Sequence, residues 1–179
     1  MNKKQYVIDA SPIICFSRAK LEFILEKLFS EILIPESVYN EILNGPKDDR
    51  AIKVVKSSSW LKVVKVEKVN NEIAIWNLGK GETEVLTIAY ENRGFKAIID
   101  DAAARKCSKV LGIPFMGSGG ILVLAKKKGI ISSVDEALNA LKVSGLWLSK
   151  DIEQIIKESR RKLKGSERFD ERSHYNHRP

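Results

Sequence analysis

The chain has 179 residues, 44 % hydrophobic and 30 % charged, and its 31 lysines and arginines against 23 aspartates and glutamates leave a net charge of +8. That is enough apolar material for a buried core, and it excludes wholesale disorder. No apolar run approaches the length of a bilayer span, and the opening MNKKQYVIDAS lacks the long apolar stretch of a signal peptide, so no membrane association and a cytoplasmic location are expected.

Residues 5–8 form a short apolar, β-branched run that ends at Asp9, the pattern of a buried first strand. Ser11-Pro12 then signals a helix start, with serine as cap and proline at the first helical position. Helical spacing continues over 13–29, as two short helices broken around 19–21. Residues 31–34 read as a second strand stopped by Pro35, and 37–43 as a helix closed by Asn44-Gly45-Pro46. A polar stretch at 47–50 leads to an amphipathic helix over 51–57, and 60–66 alternates as a strand. Residues 68–78 carry no decisive pattern. Gly79 to Gly81 open a helix over 82–92, 96–99 is a strand, and 102–111 is a helix ended by Gly112. A strand at 113–116 precedes a glycine-rich turn, Gly117-Ser118-Gly119-Gly120, and a helix at 121–128. A further helix covers 133–144, and 145–148 is extended. Residues 150–163 form a basic amphipathic helix, and from 165 the chain is polar without apolar periodicity.

Strands alternating with helices predict an α/β fold, three layers with a central parallel sheet. The expected organisation is one domain over 1–150, a basic helix at 151–164 packed on it or extending it, and a disordered tail at 165–179.

Cys15 and Cys107 lie far apart, form no CxxC pair and sit in apolar surroundings, so they read as buried hydrophobes and not as zinc ligands. Both histidines, His174 and His177, fall in the tail, which excludes a histidine-based triad in the core. A pI near 9.4 favours polyanionic partners, although the clusters at Lys126, Lys127 and Lys128 and at Arg160, Arg161 and Lys162 equally suit solvated helix faces.

In open parallel sheets, ligands bind beyond the carboxyl ends of the strands. Asp9 ends the first strand, and Asp100 and Asp101 end the strand over 96–99. If those strands are neighbours, their terminal carboxylates meet. Glu41 sits at the edge of its helix's apolar stripe. On the next helix, with Val85, Leu86, Ile88 and Ala89 as the buried stripe, Glu82 projects into the stripe and Glu84 lies on its margin. A buried carboxylate needs a partner, and a metal ion is one. Mg²⁺ and Mn²⁺ prefer oxygen ligands, and metals held by carboxylates supply what phosphodiester hydrolysis needs, an activated water and a stabilised leaving oxyanion. Ser11 is placed to hydrogen-bond Asp9 or a water on the metal. Arg105 suits a salt bridge with Asp100 or Asp101 better than a phosphate contact. The 117–120 turn lacks the third glycine of a dinucleotide fingerprint and any following G-K-[ST]. It can still offer phosphate a helix N-terminus, assisted by Ser118.

The ordered set D-A-S at Asp9–Ser11, V-Y-N-E-I around Glu41, G-E-T-E at Gly81–Glu84, I-I-D-D ending at Asp101, D-D-x-x-A-R at Asp100–Arg105 and G-S-G-G at Gly117–Gly120 resembles the PIN-domain family. Its toxin members are the VapC-type ribonucleases, and the chain looks closest to a prokaryotic PIN-like subgroup with the GExE and DDxxAR motifs. The resemblance covers roughly residues 5–150. It implies a metal-dependent endoribonuclease acting on single-stranded RNA, with Asp9, Glu41, Glu82 or Glu84, and Asp101 as the acids around Mg²⁺ or Mn²⁺ and Asp100 beside them. It further implies a homodimer and a protein antitoxin. A glutamate stands where the family has an aspartate on the third helix, and I-D-D replaces T-x-D. These departures raise a second reading, a catalytically degenerate fold that binds RNA or protein.

Overall fold

The computed structural model describes residues 5–146. The expected helix at 150–163, the tail from 165, positions 147–148 and both histidines lie outside the described residues. Five strands form one sheet: β1 (Gln5–Ile8), β2 (Ile32–Pro35), β3 (Leu61–Val64), β4 (Phe95–Ile98) and β5 (Phe115–Met116). All pairings are parallel, in the order β3-β2-β1-β4-β5. The inner strands are apolar on both faces, with Val7, Ile8, Ile32, Ile34, Ala97 and Ile98 all buried. That is the signature of a parallel sheet covered on both sides. Helices flank the sheet and complete the three-layer α/β/α architecture expected from the sequence.

The chain leaves β1 through α1 (Ala10–Arg18) and α2 (Glu22–Leu28), which are separated at Lys20 by a left-handed φ of 58°. The predicted break lies there. After β2 come α3 (Glu36–Leu43) and α4 (Arg50–Ser57). The indecisive stretch at 68–78 contains a single turn, α5 (Asn71–Ala74), whose first amides are partly met by the Asn70 side chain. Then follow α6 (Lys80–Glu91), β4, α7 (Ala102–Val110), β5, α8 (Ser118–Lys127) and α9 (Val134–Val143).

Several boundaries differ from expectation, and three of them bear on the site. Helix α1 begins one residue after Asp9, so Asp9 and not Ser11 is the residue at its cap. Helix α8 begins at Ser118, so Gly119 and Gly120 lie inside its first turn and not in a preceding turn. Strand β5 has two residues only, Pro114 standing just outside it.

Strand order turns back at β1. The chain builds outward to β2 and β3, then returns to the other side of β1 as β4. A crevice opens at the carboxyl ends where this reversal occurs. Ile8 is in register with Ile98, and the Asp9 amide donates to the Ile98 carbonyl at 3.1 Å. The acids that follow β1 and β4 therefore leave the sheet side by side.

Candidate active site

Asp9 is only 4 % exposed. A capping aspartate normally accepts from the second or third amide of its helix. The third residue of α1 is Pro12, which has no N–H, and Asp9 makes no side-chain capping bond. Its carboxylate stays uncommitted at the mouth of the sheet. Burial first, then the charge of Glu82 and that of Glu41, push Asp9 up to about 7, and the nearby amides of Ala10 and Ser11 pull it only partly back. Ser11, inside α1 and exposed, lines the same cleft, but its hydroxyl makes no hydrogen bond to Asp9.

Glu41 and Glu82 arrive on α3 and α6, which pack on each other. The close approach depends on Gly81. A Cβ there would lie 3.0 Å from Val38 Cγ2, 3.1 Å from Asp9 Oδ1 and 3.4 Å from Glu41 Oε2. Asp9 and Glu41 thus face each other above a helix position that has no side chain. Glu41 is exposed as a residue, yet partial burial of its carboxyl and the charge of Glu82 raise its pKa. Glu82 is half-buried, lines the cleft beside Asp9, and curls back over Gly79 at the start of α6, where an acid is favoured by the helix dipole.

Glu84 goes elsewhere. It is 6 % exposed and accepts a 2.6 Å hydrogen bond from the Ser37 hydroxyl on α3. This reverses the expected exposure of the two glutamates, in which Glu82 entered the buried stripe and Glu84 lay on its margin. Helix α6 packs against α3, α5, α7 and three strands, so its buried arc is wider than one stripe and takes in Glu84 and Thr87.

On the other wall, Asp100 is fully engaged. Its Oδ1 accepts from Arg105 Nη2 and from the Ser118 amide, each at 2.9 Å, and its Oδ2 accepts from the Ser118 hydroxyl at 2.5 Å. Arg105 Nε also donates to the Ile99 carbonyl at 3.2 Å. Asp100 therefore caps α8 from outside, which lets that helix start in glycines. Gly117 leaves the room for this clamp, because a Cβ there would lie 2.5 Å from Arg105 Nη2 and 2.9 Å from Asp100 Oδ1. Ser118 is fully buried with both its donors on Asp100, so the phosphate contact this helix start could offer is already taken by a carboxylate. Arg105 makes the salt bridge, on Asp100. Asp101 caps α7, with Oδ1 accepting from the Ala104 amide at 2.7 Å, and sits exposed on the rim. Burial and then the charge of Asp100 push the Cys15 thiol up to about 11, so it stays a neutral apolar group.

The cleft these residues enclose has a volume of about 360 Å³ and includes Asp9, Ser11, Glu82, Asp100, Asp101 and Arg105, with Leu146 at its edge. A larger hollow of about 710 Å³, between the loop around Lys68 and the far half of α6, contains none of the strand-end acids. Among the described residues, no three histidine, cysteine, aspartate or glutamate side chains already converge to enclose a metal ion. The donor set nevertheless fits a hard divalent cation. Every candidate is a carboxylate, Mg²⁺ needs only one or two of them with water completing its shell, and Asp9, Glu41 and Glu82 repel one another with no cation between them. Ser37 was not singled out from sequence, and Gly81 and Gly117 were read only as a helix opener and part of a turn. The signal for Gly81 was a glycine in the first turn of a helix, directly before an acid.

A parallel sheet with an acidic crevice at its reversal point defines a domain suited to phosphate-ester chemistry. The family model described as PIN domain matches residues 5–161, and the chain belongs to that family. PIN domains are in general nucleases, so this is a nuclease-type fold. No curated protein matches the chain. No helix among the described residues is long and apolar enough to cross a membrane.

Proposed function

We propose that this PIN domain is a metal-dependent endoribonuclease acting on single-stranded RNA. The observation that carries the reading is Asp9, a buried carboxylate at the sheet's reversal point that shares its space with Glu41 and Glu82 and has no cationic partner among the described residues. Asp9, Glu41, Glu82 and Asp101 would hold Mg²⁺ or Mn²⁺. When bound, the ion supplies an activated water and charge stabilisation at the phosphate. The chain's own part is to bring Asp9 and Glu41 together over Gly81 and to hold the opposite wall rigid through Asp100, Arg105 and Ser118. RNA is drawn in by the net positive charge, which makes binding salt-dependent. The motif order resembling VapC-type toxins supports a toxin role, a homodimer and a protein antitoxin that blocks the cleft. A small antitoxin reading frame beside this gene would be the first sign of it.

A second reading, an RNA-binding or protein-interaction module without turnover, is favoured by one observation. Although Asp9, Glu41 and Glu82 act on one another, no three carboxylates among the described residues stand close enough to enclose a metal ion. The two readings separate in a cleavage assay on labelled single-stranded RNA, run in Mg²⁺ or Mn²⁺ and in EDTA, with wild type and Asp9→Ala. Metal-dependent cutting that disappears in a folded Asp9→Ala protein is expected. Undiminished cutting by that variant removes Asp9 from the reaction. No cutting by folded wild type over a panel of RNAs removes the nuclease and leaves the binding module.

A further inference from the structure

The geometry points to the buried Ser37–Glu84 hydrogen bond as a positioning strut that sets the separation of Glu41 from Glu82, without either Ser37 or Glu84 touching metal or RNA. The inference rests on the proposed nuclease reading for what Glu41 and Glu82 do.

Helices α3 and α6 belong to different crossovers, β2 to β3 and β3 to β4, and no short loop joins them. Helix α6 carries Glu82, which lines the cleft, and α3 carries Glu41, whose carboxylate lies over Gly81 beside that of Asp9. Ser37 stands four residues before Glu41 on α3, so the two share a face one turn apart. On α6, Glu84 stands two residues after Glu82, which places it on the other side of the helix. One bond, Ser37 Oγ donating to Glu84 Oε2 at 2.6 Å, thus joins the turn that precedes Glu41 to the turn that carries Glu82.

The contact is buried and closely fitted. Glu84 is 6 % exposed, and its only hydrogen bond among the described residues is to Ser37. Val38, next to Ser37, is fully buried against Gly81, where a Cβ would lie 3.0 Å from its Cγ2. The two helices are therefore fixed at two adjacent points, a glycine contact and a polar bond. A carboxyl group placed among apolar neighbours is costly unless it is satisfied. Loss of the Ser37 hydroxyl would leave Glu84 to seek another partner, and α6 would shift or turn to provide one. Glu82 would move with it. Groups that orient metal ligands in this indirect way commonly affect metal affinity by about 10-fold or more.

The test is Mn²⁺ titration of the full-length protein by electron paramagnetic resonance, with thermal melting of each variant alongside. Ser37→Ala and Glu84→Ala are expected to weaken Mn²⁺ binding about 10-fold. Glu84→Gln keeps an oxygen that accepts from Ser37 and is expected to bind Mn²⁺ within about 2-fold of wild type, where Glu82→Gln is not. If Glu84→Gln loses as much affinity as Glu82→Gln, Glu84 is itself a ligand and the strut is overturned. If Ser37→Ala and Glu84→Ala melt lower but bind Mn²⁺ as wild type does, the bond is structural only and the strut is again overturned. Folded wild type that binds no Mn²⁺ overturns the nuclease reading and the strut with it. Glu84→Gln keeps the test decisive even if Glu84→Ala fails to fold.

Discussion

Asp9 and Asp100 follow neighbouring strands in register, yet their carboxylates meet opposite surroundings. Asp9 lies against Glu41 and Glu82, and the proline at the third position of α1 removes one of the two amides that a capping side chain usually bonds. Asp100 receives Arg105, the Ser118 amide and the Ser118 hydroxyl. Asp9 is short of positive charge, and Asp100 is matched by its own arginine. A sheet reversal brings acids together, but what else reaches each acid decides whether it is free for a ligand. Asp100, the most hydrogen-bonded carboxylate at the site, is for that reason the one assigned to structure.

The largest effect expected from this contrast is on turnover. Asp9→Ala should lower RNA cleavage by ~10³-fold or more, since it removes several kcal/mol of metal-derived stabilisation. Asp100→Asn, read in the same single-turnover assay, should keep its dependence on Mg²⁺. Equal loss in both would erase the distinction between the walls.

Next is pH. The folded-state pKa of Asp9 is about 7, above its ordinary value of 3.8, so between those values the native state holds a proton that the unfolded chain has released. Its contribution to stability is fully present below the unfolded value and is lost as pH rises through about 7. Metal-free protein should therefore weaken between pH 4 and pH 7, by on the order of 3–4 kcal/mol from this group. Urea unfolding of wild type and Asp9→Asn across that range checks it. A slope that is unchanged in Asp9→Asn would assign the effect to other groups.

Asp100→Ala should cost about 3 kcal/mol, because it strands the mostly buried Arg105 guanidinium and uncaps α8. Denaturant midpoints measure this, and a neutral outcome would mean the clamp does not hold the wall. Smallest is Gly117→Ala, at about 1–2 kcal/mol, since its methyl must displace the Arg105 and Asp100 side chains. A Gly117→Ala protein as stable as wild type would show that the clamp yields easily.

Much of this arrangement was legible in the sequence. Two β-branched runs ending in aspartate placed Asp9 and Asp100 at strand ends, and the parallel sheet made those strands candidate neighbours. The division of labour was not legible. Asp100 finds its partner eighteen residues away in Ser118, and only the strand order brings α8 to β4. Asp101 took the cap of α7 and Asp100 did not, a choice that two adjacent aspartates at a strand end do not reveal. Glu82 and Glu84 came out reversed because one helix's periodicity gives the direction of a single buried stripe, whereas α6 is packed from several sides. Gly81 was read as an opener of the helix. Its function as the space between Asp9 and Glu41 requires α3, which is distant in sequence.

The contrast between the walls is tested most directly by the melting temperature of wild type and Asp9→Asn at pH 7.5, without divalent metal and with Mg²⁺. An uncompensated Asp9 predicts that metal-free Asp9→Asn melts above metal-free wild type, and that Mg²⁺ raises wild type and leaves the variant nearly unmoved. A variant that melts below wild type without metal, or an equal Mg²⁺ response in both, would contradict it.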